Sequence, residues 1–318
     1  MRVPLFLVLS TLLIQVGCID SEFIANQMVK TGTLADMNKA FFMEESSAHA
    51  GAAAPGLLML MDGFIVATPE NEDLLIQGAS LNCGYAMAFL DYSDLVWAAS
   101  IYKKGRGYAL RATQEELPEL AAAIAASDMD GIRRELADTE EDDLQLLYWL
   151  GMCWGGRINA TKAIEEVVDL PIVEAVMQRA LEIDETYFFA GSHLLFGMMY
   201  AGRTEKVGGD PERGKTHYER AIELTQGRFL LAKVHYAMNY AVMVQDHALY
   251  IRLLDEVLDA DPAETDDDEN RLVNQVSRDL ALKLQAEIST RFPDYDPAAD
   301  DADDEYEDPL DDEDLDLD

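Results

Sequence analysis

A chain of 318 residues with 49% hydrophobic side chains holds apolar material for one or two packed cores, so it is not wholly disordered. Its 61 Asp and Glu against 24 Lys and Arg give a net charge of −37, which excludes general nucleic-acid binding, because phosphate binding depends on clustered cations. Partners are expected to be neutral or basic: residues 294–318 hold 15 of the acids and no cation, yet the rest of the chain still carries −22.

Residues 1–18 read MRVPLFLVLSTLLIQVGC, with Arg2 ahead of an apolar run from Val3 to Val16. This pattern predicts an export leader. Gly17 before Cys18 resembles the lipobox of bacterial lipoproteins, although Gln15 stands where that box usually has Leu. Cleavage there makes Cys18 the lipidated N-terminus and a membrane anchor; a secreted protein cut near Gly17 is the alternative. Ile19, in place of an acid, points toward the outer membrane. Past the leader no segment is expected to span a bilayer, since the best, Gly56–Ala67, is short and holds Asp62.

Residues 19–46 form an N-terminal segment, and residues 47–292 show helical periodicity nearly throughout. The predicted fold is all-α. Leu144, Leu147, Tyr148 and Gly151, then Ile172, Val176, Met177 and Ala180, then Leu194, Leu195, Met198 and Met199, each draw one stripe along a helix. Thr68-Pro69-Glu70-Asn71 and Gly209-Asp210-Pro211-Glu212 supply caps, Pro in the first turn and acids facing the positive helix end. Small residues at Gly151, Ala180, Gly197 and Gly214, with Trp154, Tyr200 and Tyr218, fit degenerate tetratricopeptide-like hairpins. The expected architecture is an irregular helical-hairpin solenoid in which each hairpin packs on its neighbours, closed by a capping helix over 268–291. Residues 293–318 have too little apolar surface and too much like charge to fold alone, and are read as a solvated acidic tail. Cys83 and Cys153 lie in helical patterns among apolar residues; they are read as two unpaired core thiols, with a disulfide as the alternative.

No catalytic or metal constellation emerges. None of the five His forms H-E-x-x-H, and no Ser sits in a G-x-S-x-G elbow. Gly209–Thr216 matches the G-x-x-x-x-G-K-T phosphate loop literally, but Pro211 deletes an amide donor, two acids would repel phosphate, and a helix precedes it. The string is read as a helix start. Lys103, Lys104, Arg106 and Arg111 form the densest basic group, either a solvated helix face or a contact for an acidic partner or lipid headgroup. Aromatic and Met residues cluster from 148 to 250. Most are expected in the core, but Tyr236 and Tyr240, with Lys233 one turn before, are candidates to line a cavity with His193 and Tyr200 from the facing hairpin and with Trp154.

From about residue 55 to 292 the chain resembles the T component of tripartite ATP-independent periplasmic (TRAP) transporters, the TatT family of bacterial lipoproteins. The resemblance rests on Tyr148-Trp149-Leu150-Gly151, Leu181-Glu182-Ile183-Asp184 with Tyr187, Val207-Gly208-Gly209-Asp210-Pro211-Glu212-Arg213, and Phe229-Leu230-Leu231-Ala232-Lys233-Val234 with Tyr236 and Tyr240. Gly214 stands where Ala is expected. The resemblance implies a tetratricopeptide-like periplasmic lipoprotein that binds the extracytoplasmic solute-binding P component. It further implies homo-oligomers, with trimers known, and a channel that helps deliver a small hydrophobic ligand; His193, Tyr200, Lys233, Tyr236, Tyr240 and Trp154, singled out above from the residues themselves, are the candidates for ligand or partner contacts. It implies no catalytic residue and no cofactor. The competing reading is a generic tetratricopeptide-type envelope scaffold that binds proteins or peptides and has no channel.

Overall fold

The computed structural model describes residues 21–294, apart from 205 and 207. The leader with Cys18 and the acidic tail from 295 onward lie outside the described residues. Every regular element among those described is a helix. Two short helices, α1 (Ser21–Lys30) and α2 (Thr33–Phe42), precede α3 (Ser47–Ala67), α4 (Glu72–Tyr85) and α5 (Leu95–Glu116). The middle of the chain forms α6 (Pro118–Ala125), α7 (Met129–Ala137), α8 (Leu144–Thr161), α9 (Ile164–Val167), α10 (Leu170–Ile183) and α11 (Tyr187–Ala201). The last part forms α12 (Pro211–Leu224), α13 (Leu231–His235), α14 (Val242–Val244), α15 (His247–Leu258), α16 (Pro262–Thr265), α17 (Arg271–Ala286) and α18 (Ile288–Arg291).

Local chemistry sets most of these boundaries. The Asp210 carboxylate accepts the amide of Arg213 and Pro211 occupies the first turn, so α12 starts where capping chemistry requires. The α4 start differs in detail from its sequence signal: Thr68 ends α3, Pro69 stays in the joint, and Asn71 caps by accepting the amide of Leu74. Helices pair closely, α4 with α5, α5 with α8 and α11 with α12. In the last pair a methyl at Gly214 would sit 2.6 Å from the Ala201 backbone nitrogen, which is why a glycine serves there.

Three expectations are corrected. Cys83 on α4 and Cys153 on α8 form a disulfide, with Cα atoms 5.4 Å apart, because α4 and α8 are packed directly against each other. The two are therefore not free thiols. Helix α3 starts nine residues before Gly56, so its 21 residues are long and apolar enough to cross a membrane by length and composition. One stripe of it, Ala50, Ala54, Leu58, Met61 and Ile65, is buried, while Met59 and Val66 are 74% and 80% exposed.

The third correction concerns the ends of the stack. Helix α17 does not merely cap the last hairpin but returns to the beginning of the chain, packing Leu272 and Val276 on Ala50 with Phe41 and Phe89 around them. Ser47 Oγ bonds Asp279, and the Lys283 ammonium donates to the carbonyl of Tyr92. The apolar stripe of α17 finds its partner surface far upstream in the chain, at Ala50, because burying it there removes more hydrocarbon from water than leaving it as an end face. The main buried core runs from Ala25 to Phe292, and Ala50, Leu272 and Val276 form a small second cluster beside it.

Candidate functional site

The closure of α17 on α2 and α3 leaves a hollow between them. A cavity of about 180 Å3 is walled by Phe41 of α2, Leu57 and Leu58 of α3, Leu81 and Gly84 of α4, Trp149 of α8, and Val273 and Val276 of α17. It is comparable to apolar cavities that hold a molecule such as benzene, at about 150 Å3. Its polar groups, Asn38, Gln77, Ser80, Tyr85, Gln145 and Tyr187, are neutral. Asn38 Nδ2 donates to Gln77 Oε1 at 2.9 Å, and burial pushes the Tyr187 phenol up to about 12, so it stays protonated. No carboxylate, imidazole or cation stands among the described lining residues.

Backbone irregularity shapes two of these walls. Helix α4 continues into a π-helical turn, Ala86–Leu90, that brings Met87, Ala88 and Phe89 to the cavity. Single π turns inside α-helices recur at functional sites. At the start of α11 three consecutive residues, Phe188, Phe189 and Ala190, have left-handed dihedrals with φ of 46°, 58° and 58°. Left-handed helical backbone costs L-residues about 1–2 kcal/mol each. The turn sends the two phenyl rings in different directions: Phe188 packs edge-on to Trp149 at 4.9 Å, and Phe189 stacks on Phe229 at 4.6 Å.

Phe188 also lines a second, wider space of about 630 Å3, shared with Phe42 and Tyr187 and floored by Phe189 and Phe229. This vestibule has a charged rim. Lys39 of α2 meets Asp268 at 3.4 Å, one exposed ion pair that ties α2 across the opening, and Arg228 meets Asp267 at 3.2 Å on the same rim. Such exposed pairs contribute little, about 0–1 kcal/mol, and most of what holds α2 is the packing of Leu34 and Phe41. The arrangement suits admission and retention of a small uncharged apolar molecule.

The residues singled out from sequence lie elsewhere, in packed positions. His193 Nδ1 lies 2.9 Å from His217 Nδ1, and the buried Tyr200 donates to Glu174 at 2.8 Å beneath the Arg213 guanidinium. Burial, with the charges of His193 and Arg213, holds the His217 imidazole down at about 4. Tyr236 and Tyr240 sit together on a π-helical turn, Tyr236–Ala241, donating to Glu219 at 3.2 Å and Glu212 at 2.7 Å. Lys233 pairs with Glu256 at 2.8 Å, and Trp154 donates to Asp169 at 3.2 Å with Arg106 over its ring. The structure thus groups His193 with Tyr200 and Tyr236 with Tyr240, leaves Lys233 and Trp154 apart, and places none of the six on the cavity or vestibule wall. Trp149, Tyr187, Phe188 and Phe189 were visible in the sequence as part of the aromatic cluster, but nothing in their spacing distinguished them from core.

Gly209–Thr216 has no phosphate-loop geometry: the Gly209 and Asp210 amides bond the carbonyls of Thr204 and Tyr200, and the Gly214 amide is spent inside α12 on Asp210. Within the basic group, Lys104 pairs with Asp62, Arg111 donates to the Pro69 carbonyl, and Arg106 lies on Trp154.

A family model described as TRAP transporter T-component matches residues 46–292. An uncharacterized protein of Treponema pallidum (strain Nichols) is 21% identical over 280 residues, which span 82% of this chain and 84% of the relative.

Proposed function

The chain belongs to the TRAP transporter T-component family, and on that premise we propose that it serves as an extracytoplasmic accessory subunit that docks the solute-binding P component and holds a small apolar ligand in the cavity behind Phe188. In this reading Cys18 carries the lipid anchor in the cell envelope, and copies of the chain associate, as trimers in related proteins. The Cys83–Cys153 bond accords with an oxidising compartment outside the cytoplasm. The Tyr200, Tyr236 and Tyr240 hydroxyls, tied to acids on α10 and α12, stiffen the face offered to the partner, with His193, Lys233 and Trp154 as supports. No bond chemistry is assigned.

The single observation that carries the ligand part is the carboxylate-free aromatic cavity with a latched mouth. Its test uses Gly84, which lines the cavity and whose missing methyl would meet no atom within 4 Å. A Gly84→Leu side chain points into the open space, and replacing a helix-interior glycine gains about 0.5–1 kcal/mol. Native mass spectrometry of gently purified full-length protein is expected to show a retained apolar molecule in wild type and none in G84L, at equal or higher melting temperature. Empty wild type that also fails to capture the solute-binding protein would overturn the reading. The exposed apolar face of α3, with Met59, Leu60 and Val66, favours a second reading, a scaffold for proteins or peptides. That reading predicts G84L to be silent and partner capture to fail on Met59→Asp or Val66→Asp instead.

A further inference from the structure

A second groove, of about 600 Å3, lies where the end of α8, the short α9 and the end of α11 meet α14. Ile158, Ile164, Met198, Met199 and Met243 supply most of its apolar wall. Its volume falls within the range of about 300–1,000 Å3 typical of small-molecule sites. Unbranched Met side chains adapt to the shape of a flexible apolar guest. Ile164 is 82% and the adjoining Val168 70% exposed, so hydrocarbon stays in water at its rim.

Charge sets this groove apart from the rest of a chain at −37. Among the described residues no carboxylate lines it, whereas Lys162 and Arg203 both do. Neither cation forms an ion pair among the described residues. Lys162 ends α8 in left-handed backbone with its side chain exposed. Arg203 is oriented by its Nε, which donates to the carbonyl of Met199 at 2.9 Å, and the two terminal nitrogens of its guanidinium are left over. The neighbouring acids are engaged by other groups: Glu174 accepts from Tyr200, Glu166 pairs with Arg157, and Asp169 accepts from Trp154. Lys162, with no ion pair, and Arg203, on which the charge of Glu174 acts without a direct pair, stand beside a Met-walled trough and match one negative head on one hydrocarbon chain.

The geometry points to a binding site for a free long-chain carboxylate, its head between Lys162 and Arg203 and its chain along Met198, Met199 and Met243. The site is separate from the cavity behind Phe188 and does not depend on it. The test titrates the full-length protein with cis-parinaric acid and with the alcohol of the same chain, reading probe fluorescence. The acid is expected to bind roughly ten-fold or more tightly than the alcohol, the ratio charge-assisted hydrogen bonds supply. Lys162→Gln with Arg203→Gln, checked by an unchanged melting temperature, is expected to abolish that preference, and Met199→Glu to weaken both probes, while G84L changes neither. Should the double variant unfold, Lys162→Gln alone, on an exposed side chain, must reduce the preference. Absence of acid binding to wild type, equal affinity for acid and alcohol, indifference to the Lys162 change, or loss of binding in G84L would each overturn the assignment.

Discussion

Cys83 and Cys153 close a loop of 70 residues, and the helix between them gives way to make room: a methyl at Gly105 of α5 would collide with the Cys83 sulfur and lie 3.0 Å from that of Cys153. In the chain-entropy picture such a loop lowers the entropy of the unfolded state by an amount worth about 4 kcal/mol, of which 2–4 kcal/mol is commonly realised. Cys83→Ser with Cys153→Ser is therefore expected to lose about 2–4 kcal/mol in urea unfolding, and dithiothreitol should bring wild type to the same midpoint. A variant as stable as wild type, with wild type indifferent to reductant, would show the sulfurs unpaired in solution. Nothing in the sequence separated this outcome from two buried thiols. Each cysteine sits in a helical stripe as any small hydrophobe would, and pairing depends on α4 and α8 meeting across 70 residues, a tertiary fact that local pattern does not contain.

At the scale of elements, capping and small-residue signals were readable because they act within a few residues. Asp210 caps α12 and Gly214 admits α11, both as the chain's local chemistry requires. The start of α11 was not readable. Phe188-Phe189-Ala190 is ordinary helix-compatible sequence, yet its backbone is left-handed, an arrangement only the surrounding packing can impose. Ala190 is fully buried with φ of 58°, while Ala180 is equally buried in right-handed α10, so the pair isolates the strain. At Ala180 a glycine should cost about 1 kcal/mol in propensity and about 0.8 kcal/mol for the lost methyl. At Ala190 the same lost methyl is offset by relief of about 1–2 kcal/mol of left-handed strain. Ala180→Gly is thus expected to destabilise by about 2 kcal/mol and Ala190→Gly by about zero, both read from denaturant midpoints. Equal losses would mean that the turn at Phe188 is unstrained.

For the whole molecule, closure of α17 on α2 and α3 is what encloses the cavity, and it explains why the all-α class was legible but the site was not. The cavity wall draws on Phe41, Gly84, Trp149, Phe188 and Val276, five segments that no sequence period relates. Tyr236 and Tyr240, by contrast, looked like cavity residues from spacing alone and instead bond acids on α12. Charge is the global property that sequence does report without a fold. At −37, with −22 outside residues 294–318, the molecule surrounds itself with a negative field that reaches about one Debye length, near 8 Å at physiological salt. Long-range attraction of that kind acts on encounter and not on the docked state, so it belongs to the association rate. Binding to a basic solute-binding partner should therefore show an association rate constant that falls about ten-fold or more between low and half-molar salt, with dissociation nearly constant, as measured by surface plasmon resonance. An association rate that climbs with salt would mean that the two molecules repel at a distance and meet through the apolar face of α3, where Met59 and Val66 are exposed, against the opposition of their own charge.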